Sequence, residues 1–163
     1  MDQRPPTESA SLPLVIGVGN EYRGDDAVGL LIARRVAEAA RGQARVVEES
    51  GEGGALMAAW QGAGLVILCD AVQSGAAPGT IHRLEPARAP VPMGFFRYST
   101  HAFSVAEAIE LARALGDLPP RMLVYGIEGA DYAAGLALSP AVAGAIDAVV
   151  RAVVADLQSY SKE

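Results

Sequence analysis

The stretch that most narrows the possible folds is Leu14 to Arg34, LVIGVGNEYRGDDAVGLLIAR. A short apolar run, Leu14, Val15, Ile16 and Val18, leads into a glycine-rich loop and two adjacent carboxylates, Asp25 and Asp26. A helical pattern follows, with Val28, Leu31, Ile32 and Val36 on one face. Strand, loop and helix in that order place whatever the loop holds at the carboxyl end of a strand, where open α/β sheets bind ligands. Phosphate does not suit this loop. A dinucleotide fingerprint needs a third glycine where Tyr22 stands, and the P-loop spacing of Gly19 and Gly24 is followed by Asp25 and Asp26 instead of Lys and Ser or Thr. Two carboxylates repel phosphate and attract a cation. Asp25 reads as the cap of the following helix, and Asp26 either as an ordinary first-turn acid near the positive end of the helix dipole or as part of a site.

Along the rest of the chain, strands and helices alternate. Residues 1–11 hold two prolines and no periodicity and read as an N-terminal tail. The first strand and helix run to about Arg41, with Gly42 as the stop, and Arg45 to Glu48 is a short second strand. Glu52-Gly53-Gly54 reads as a turn whose glycines permit positive φ, and from Ala55 to Gln61 the helical spacing of Leu56, Met57 and Trp60 points to core contacts. Leu65 to Leu68 is an unbroken apolar run of the kind found in sheets covered on both faces, and it leads through Cys69 to Asp70. At the edge of that strand, Asp70 reads either as a turn residue or as a second carboxylate beside the Gly19 loop.

Thr80 to Glu85 predicts another strand, with His82 in a surface or edge role. Residues 87–98 read as a flexible loop suited to contacting a partner. A helix then opens near Ser99, Thr100 or Ser104, the last having capping-box spacing to Glu107; His101 lies at or just before its first turn. Met122 to Ile127 is the last strong strand, followed by an acidic loop, Glu128 to Asp131. Ser139-Pro140 opens a closing helix to about Leu157, with residues 159–163 as a C-terminal tail. This alternation predicts a three-layer α/β/α fold, a single domain over 12–158 around a mainly parallel twisted sheet of about five strands.

Composition excludes several function classes. With 51% apolar and 20% charged residues over 163 positions, the chain can bury a substantial core. A net charge of -6 argues against nucleic-acid and anionic-membrane surfaces. No apolar run approaches the roughly 20 residues of a membrane span, and MDQRPPTESAS lacks a signal-peptide core, so a soluble cytoplasmic protein is expected, and a monomer is the expected state. The single cysteine, Cys69, permits no internal disulfide and reads as a small core residue.

If Asp26, Asp70 and His101 gather at the carboxyl edge of the sheet, two carboxylates and an imidazole suit a divalent ion with coordination positions left open. The two histidines offer no recognisable nucleophile and base pairing, which argues against serine or cysteine protease chemistry.

Four motifs in order resemble the maturation endopeptidases of nickel-iron hydrogenases. They are Gly17-Val18-Gly19-Asn20 with Gly24-Asp25-Asp26-Ala27-Val28-Gly29, then Glu52-Gly53-Gly54, then Asp70-Ala71-Val72 with Gly75 and Pro78-Gly79-Thr80, then Ser99-Thr100-His101. Ala55 stands where that family often has threonine. The resemblance implies an aspartic-type endopeptidase that removes a short C-terminal extension from the hydrogenase large-subunit precursor after nickel insertion. It also implies that Asp26, Asp70 and His101 form the catalytic and metal-contacting set, with nickel met in the precursor and zinc or cadmium able to occupy the site in the free protein. Two alternatives stay open on the residues alone: a non-catalytic chaperone for a metalloprotein precursor, and a general metal-dependent hydrolase.

Overall fold

A computed structural model describes residues 11–92, 94–96, 101–135 and 137–163. The expected tail before Ser11, and Ser99 and Thr100 as helix starts, lie outside the described residues. Among them, five strands form one sheet in the order β2-β1-β3-β5-β4: β1 (Leu14–Val18), β2 (Arg45–Glu49), β3 (Leu65–Val72), β4 (Ile81–Leu84) and β5 (Arg121–Glu128). β1, β2, β3 and β5 are parallel, and β4 runs antiparallel at the edge. Four α-helices cover the faces: α1 (Val28–Ala39), α2 (Gly53–Trp60), α3 (Val105–Leu115) and α4 (Pro140–Ser161).

Helices α1 and α4 pack on one face, and α2 and α3 on the other. Alternation along the central strands divides their side chains between two cores. Val15, Ile67, Cys69 and Tyr125 meet α1 and α4, while Leu14, Ile16, Val66, Leu68 and Val124 meet α2 and α3. Every residue of β1 and β3 is buried, which explains their unbroken apolar runs. Cys69 is fully buried, as expected, and burial with the nearby Asp70 charge pushes its thiol up to about 12, leaving it inert.

Several boundaries differ from the sequence reading. β3 continues past Leu68 to Val72, so Asp70 lies within the strand opposite Gly126 of β5 and is no turn residue. α2 starts at Gly53 because the Glu52 carboxylate caps it, accepting from the N–H groups of Gly54 (2.9 Å) and Ala55 (2.8 Å). The left-handed residue of that turn is Gly51, at φ +97°, and not Gly53 or Gly54. α4 extends to Ser161, because Leu157 is still buried against the core and Tyr160 packs on its margin; residues 159–161 are therefore helical and not a tail. α3 opens at Ser104, where Glu107 reaches back to accept from the Ser104 N–H (3.1 Å) and hydroxyl (2.6 Å).

The loop expected to be flexible is anchored at Phe95. Its buried ring meets His82 edge-on at 5.1 Å, and its carbonyl accepts from the Gln73 N–H at 3.3 Å. His82 lies on the edge strand as expected, but it also has an acidic partner remote in sequence: its Nε2 is 3.3 Å from the buried Glu128 carboxylate.

A carboxylate pair at the switch point

From β1 the chain crosses by α1 to β2 on one side, then returns by α2 to β3 on the other, with the two helices on opposite faces of the sheet. The carboxyl ends of β1 and β3 therefore flank the topological switch point, where doubly wound sheets open a crevice for ligands. Asp26 follows β1 and Asp70 stands near the end of β3.

Glycine lets the start of α1 press into this crevice. A Cβ on Gly29 would lie 2.3 Å from the Cys69 carbonyl oxygen and 2.4 Å from that of Val18, so any side chain would push the helix off both strands. The four residues before α1, Gly24–Ala27, form a turn of 3-10 helix that contains both aspartates. That turn sends them into different surroundings. Asp25 does not cap α1, contrary to expectation; its fully buried carboxylate accepts hydrogen bonds from Ala130, Asp131 and Ser139. Burial pushes its pKa up, but these hydrogen bonds, led by the Ser139 hydroxyl, outweigh that effect and hold it below the usual carboxylate range.

Asp26 is half-buried, and its pKa moves the other way. Desolvation raises it, against a backbone hydrogen bond from Asn20 and the charge of Arg23. Asp70 is pushed well above its ordinary value by burial first and by the Asp26 charge second, with only a backbone hydrogen bond from Ala71 opposing. The Asp26 charge thus reaches Asp70 across the crevice and, after burial, further disfavours its ionised form.

His101 sits beside the β2 to α2 turn. A Cβ on Gly51 would lie 3.9 Å from its Cδ2, and the backbone of its segment is fixed by the Gly53 N–H donating to the Phe103 carbonyl at 2.9 Å. Gly53 is required there, because a Cβ would come within 2.3 Å of the Phe103 ring. The Glu52 carboxyl is held below its usual range by the Gly54 and Ala55 N–H groups, with desolvation opposing and His101 adding a smaller lowering effect. The structure brings Asp26 and Asp70 together; it does not draw His101 in with them, and among the described residues no group of three His, Cys, Asp or Glu side chains is arranged to hold a metal.

Sequence reasoning passed over Arg23, whose charge reaches Asp26, and Tyr132, buried near Asp70 and Asp25. A basic residue directly before the GDD turn was the available signal for the first; for Tyr132 there was none. Beside the crevice, a groove of about 370 Å³ is lined by Gly19, Asn20, Glu21, Tyr22, Arg34 and Glu48, among others. Arg34 bridges its acidic walls, at 2.7 Å from Glu48 and 3.1 Å from Glu21. A larger hollow of about 540 Å³, at the amino end of the sheet near Pro13 and Tyr160, is remote from the carboxylates.

Fold and site together define a doubly wound α/β protein with a carboxylate pair in its switch-point crevice. Residues 30–156 match the sequence profile of the hydrogenase maturation proteases. The hydrogenase expression/formation protein HupD of Rhodobacter capsulatus is 32% identical over 155 residues, which span 92% of this chain and 73% of that protein. HupD of Thiocapsa roseopersicina is 29% identical over 71% of this chain and 53% of its own length. Two solved structures share the fold: the hydrogenase maturating endopeptidase HybD from E. coli, with TM-score 0.74, 23% identity and coverage of 91% of this chain and 93% of that one, and the protease HycI from Thermococcus kodakarensis KOD1, with TM-score 0.68, 20% identity and coverage of 93% and 95%. The chain belongs to the hydrogenase maturation protease family. It is a peptidase of hydrogenase maturation.

Proposed function

We propose that this enzyme removes the C-terminal extension of a nickel-iron hydrogenase large-subunit precursor once nickel has been inserted, and that Asp26, Asp70 and His101 are the residues that meet the substrate. The observation that carries this reading is that Asp26 and Asp70 stand within electrostatic reach of each other at the switch point, Asp70 raised by burial and then by the Asp26 charge, and Asp26 raised by desolvation. Two oxygen donors that repel each other when ionised are a ready seat for a cation, and the nickel of the precursor supplies one. His101, on a segment fixed to the adjacent turn, adds a nitrogen donor when the precursor brings the metal and its own ligands. Either the metal polarises the scissile carbonyl or activates water, or a carboxylate moves the proton, as in an aspartic-type endopeptidase.

Zinc or cadmium binds the same residues weakly in the free protein, because without thiolates the attraction comes mostly from two anions. The enzyme works as a cytoplasmic monomer on a protein substrate, with no nucleic-acid or membrane partner. Among the described residues no helix is long and apolar enough to cross a membrane, and the net charge of -6 disfavours a polyanionic partner.

The test is incubation with nickel-loaded and nickel-free precursor, read by mass spectrometry. Loss of the C-terminal peptide from the loaded form alone is expected. Equal cleavage of the nickel-free form refutes nickel as the recognition signal, and a stable complex with no change in mass refutes the catalytic reading.

A further inference from the structure

The connection between β5 and α4 supplies no member of the carboxylate pair, yet it grips both of the segments that carry it. On the β1 side, the Asp25 carboxylate accepts from the N–H groups of Ala130 (2.7 Å), Asp131 (3.0 Å) and Ser139 (2.7 Å), and from the Ser139 hydroxyl (2.6 Å). The Asp25 N–H in turn donates to the Asp131 carbonyl at 2.9 Å. A Cβ on Gly24 would come within 2.6 Å of that same carbonyl, so turn and loop are in direct backbone contact. On the β3 side, the buried Tyr132 hydroxyl donates to the Val72 carbonyl at 2.8 Å, two residues beyond Asp70, and the Gly129 N–H shares that carbonyl at 3.1 Å.

We propose that this connection is a brace that sets the separation of Asp26 and Asp70, with Asp25 and Tyr132 as positioning residues that never touch the substrate. The inference rests on the carboxylate-pair reading above. Asp25 and Asp26 are consecutive in one rigid turn, so fixing the first fixes the backbone of the second. Two like charges facing each other tend to move apart, and only structure that ties both segments to a common point holds them at the spacing a shared cation needs. One residue, Tyr132, stands directly beside one arm's carbonyl anchor on β3, and its immediate neighbour Asp131 takes part in the other arm. A displacement of one arm is therefore felt at the other.

A purely structural role is separated from this one by a matched control. On β4, β5 and α4, a second hub joins the exposed Arg83, the buried Tyr125 and the half-buried Asp156: Arg83 donates to the Tyr125 hydroxyl (3.1 Å) and to Asp156 (3.0 Å), and the Tyr125 hydroxyl donates to Asp156. It resembles the brace in its bonds, but these side-chain bonds run among β4, β5 and α4 and go neither to the Gly24–Ala27 turn nor to β3. Asp25→Asn, the milder Tyr132→Phe and the control Tyr125→Phe are compared for melting temperature, cadmium affinity by calorimetry, and kcat and KM on nickel-loaded precursor. Asp70→Asn is measured alongside. Both brace variants are expected to lose about tenfold in cadmium affinity and in kcat, the usual scale for groups that orient ligands, with KM unchanged. Tyr125→Phe, at a similar loss of melting temperature, should change neither. Brace variants that match wild type per folded molecule, or a Tyr125→Phe that loses as much, overturn the brace. An Asp70→Asn enzyme as fast as wild type instead overturns the carboxylate-pair reading beneath it.

Discussion

Asp25 and Asp26 are chemically identical neighbours whose pKa values shift in opposite directions. Sequence assigned Asp25 the structural role and Asp26 a place in the candidate site, but it misjudged Asp25's partners: the spacing suggested a local cap, while the true partners lie 105 to 114 residues further on, where no spacing rule reaches. Two consequences are measurable. Asp70 is raised above 3.8, so the cost of ionising it grows as pH climbs from that value through the raised one. Asp70→Asn should therefore melt higher than metal-free wild type at pH 7.5, by about 2–4 °C for each kcal/mol recovered, with the gap closing near pH 4. A variant no more stable at either pH would contradict the assigned shift. Asp25 is lowered, so its contribution is complete above 3.8 and is lost as pH falls through the lowered value. Asp25→Ala strands three backbone donors and should cost about 2–4 kcal/mol at pH 7, with a smaller deficit in acid; urea titrations at two pH values measure it.

At the level of elements, periodicity located the strands and helices well and their ends poorly. β3 outran its expected end because Asp70 sits inside a strand, a place where a charged residue is rare unless something uses it. α2 began early because its cap, Glu52, is an unusual capping residue that the glycine pair disguised as a turn. The segments around His101 depend on Gly53 for their contact, so Gly53→Val should displace Phe103 and lower processing at least tenfold with an unchanged circular dichroism spectrum. Unaltered processing would show that this contact does not position His101. His82→Ala should process normally: Glu128 keeps its hydrogen bonds from the Ser74 N–H and hydroxyl and the Gly75 N–H, each between 2.8 and 2.9 Å. Loss of activity in a folded His82→Ala protein would move the functional histidine to the β4 edge of the sheet.

The whole molecule was legible as a parallel α/β sheet because buried central strands must be apolar on both faces and helices must alternate with them. The antiparallel β4 was not, since a strand four residues long carries too little pattern to reveal its direction. Nor was the meeting of Asp26 and Asp70, which depends on strand order and not on either residue's neighbours.

The 105 to 114 residues between Asp25 and its partners also bear on time. Closing so long a loop is entropically late, so contacts of this span tend to form after the folding barrier has been crossed. An interaction absent from the transition state slows escape from the native state without hastening arrival. Asp25→Asn should accordingly leave the refolding rate almost unchanged and speed unfolding, which stopped-flow measurements in urea can read; a slowed refolding limb would mean that this clasp forms early. If it forms late, a freshly made chain acquires its protease site as one of its last acts, after the sheet that could shield its own peptide bonds is already in place.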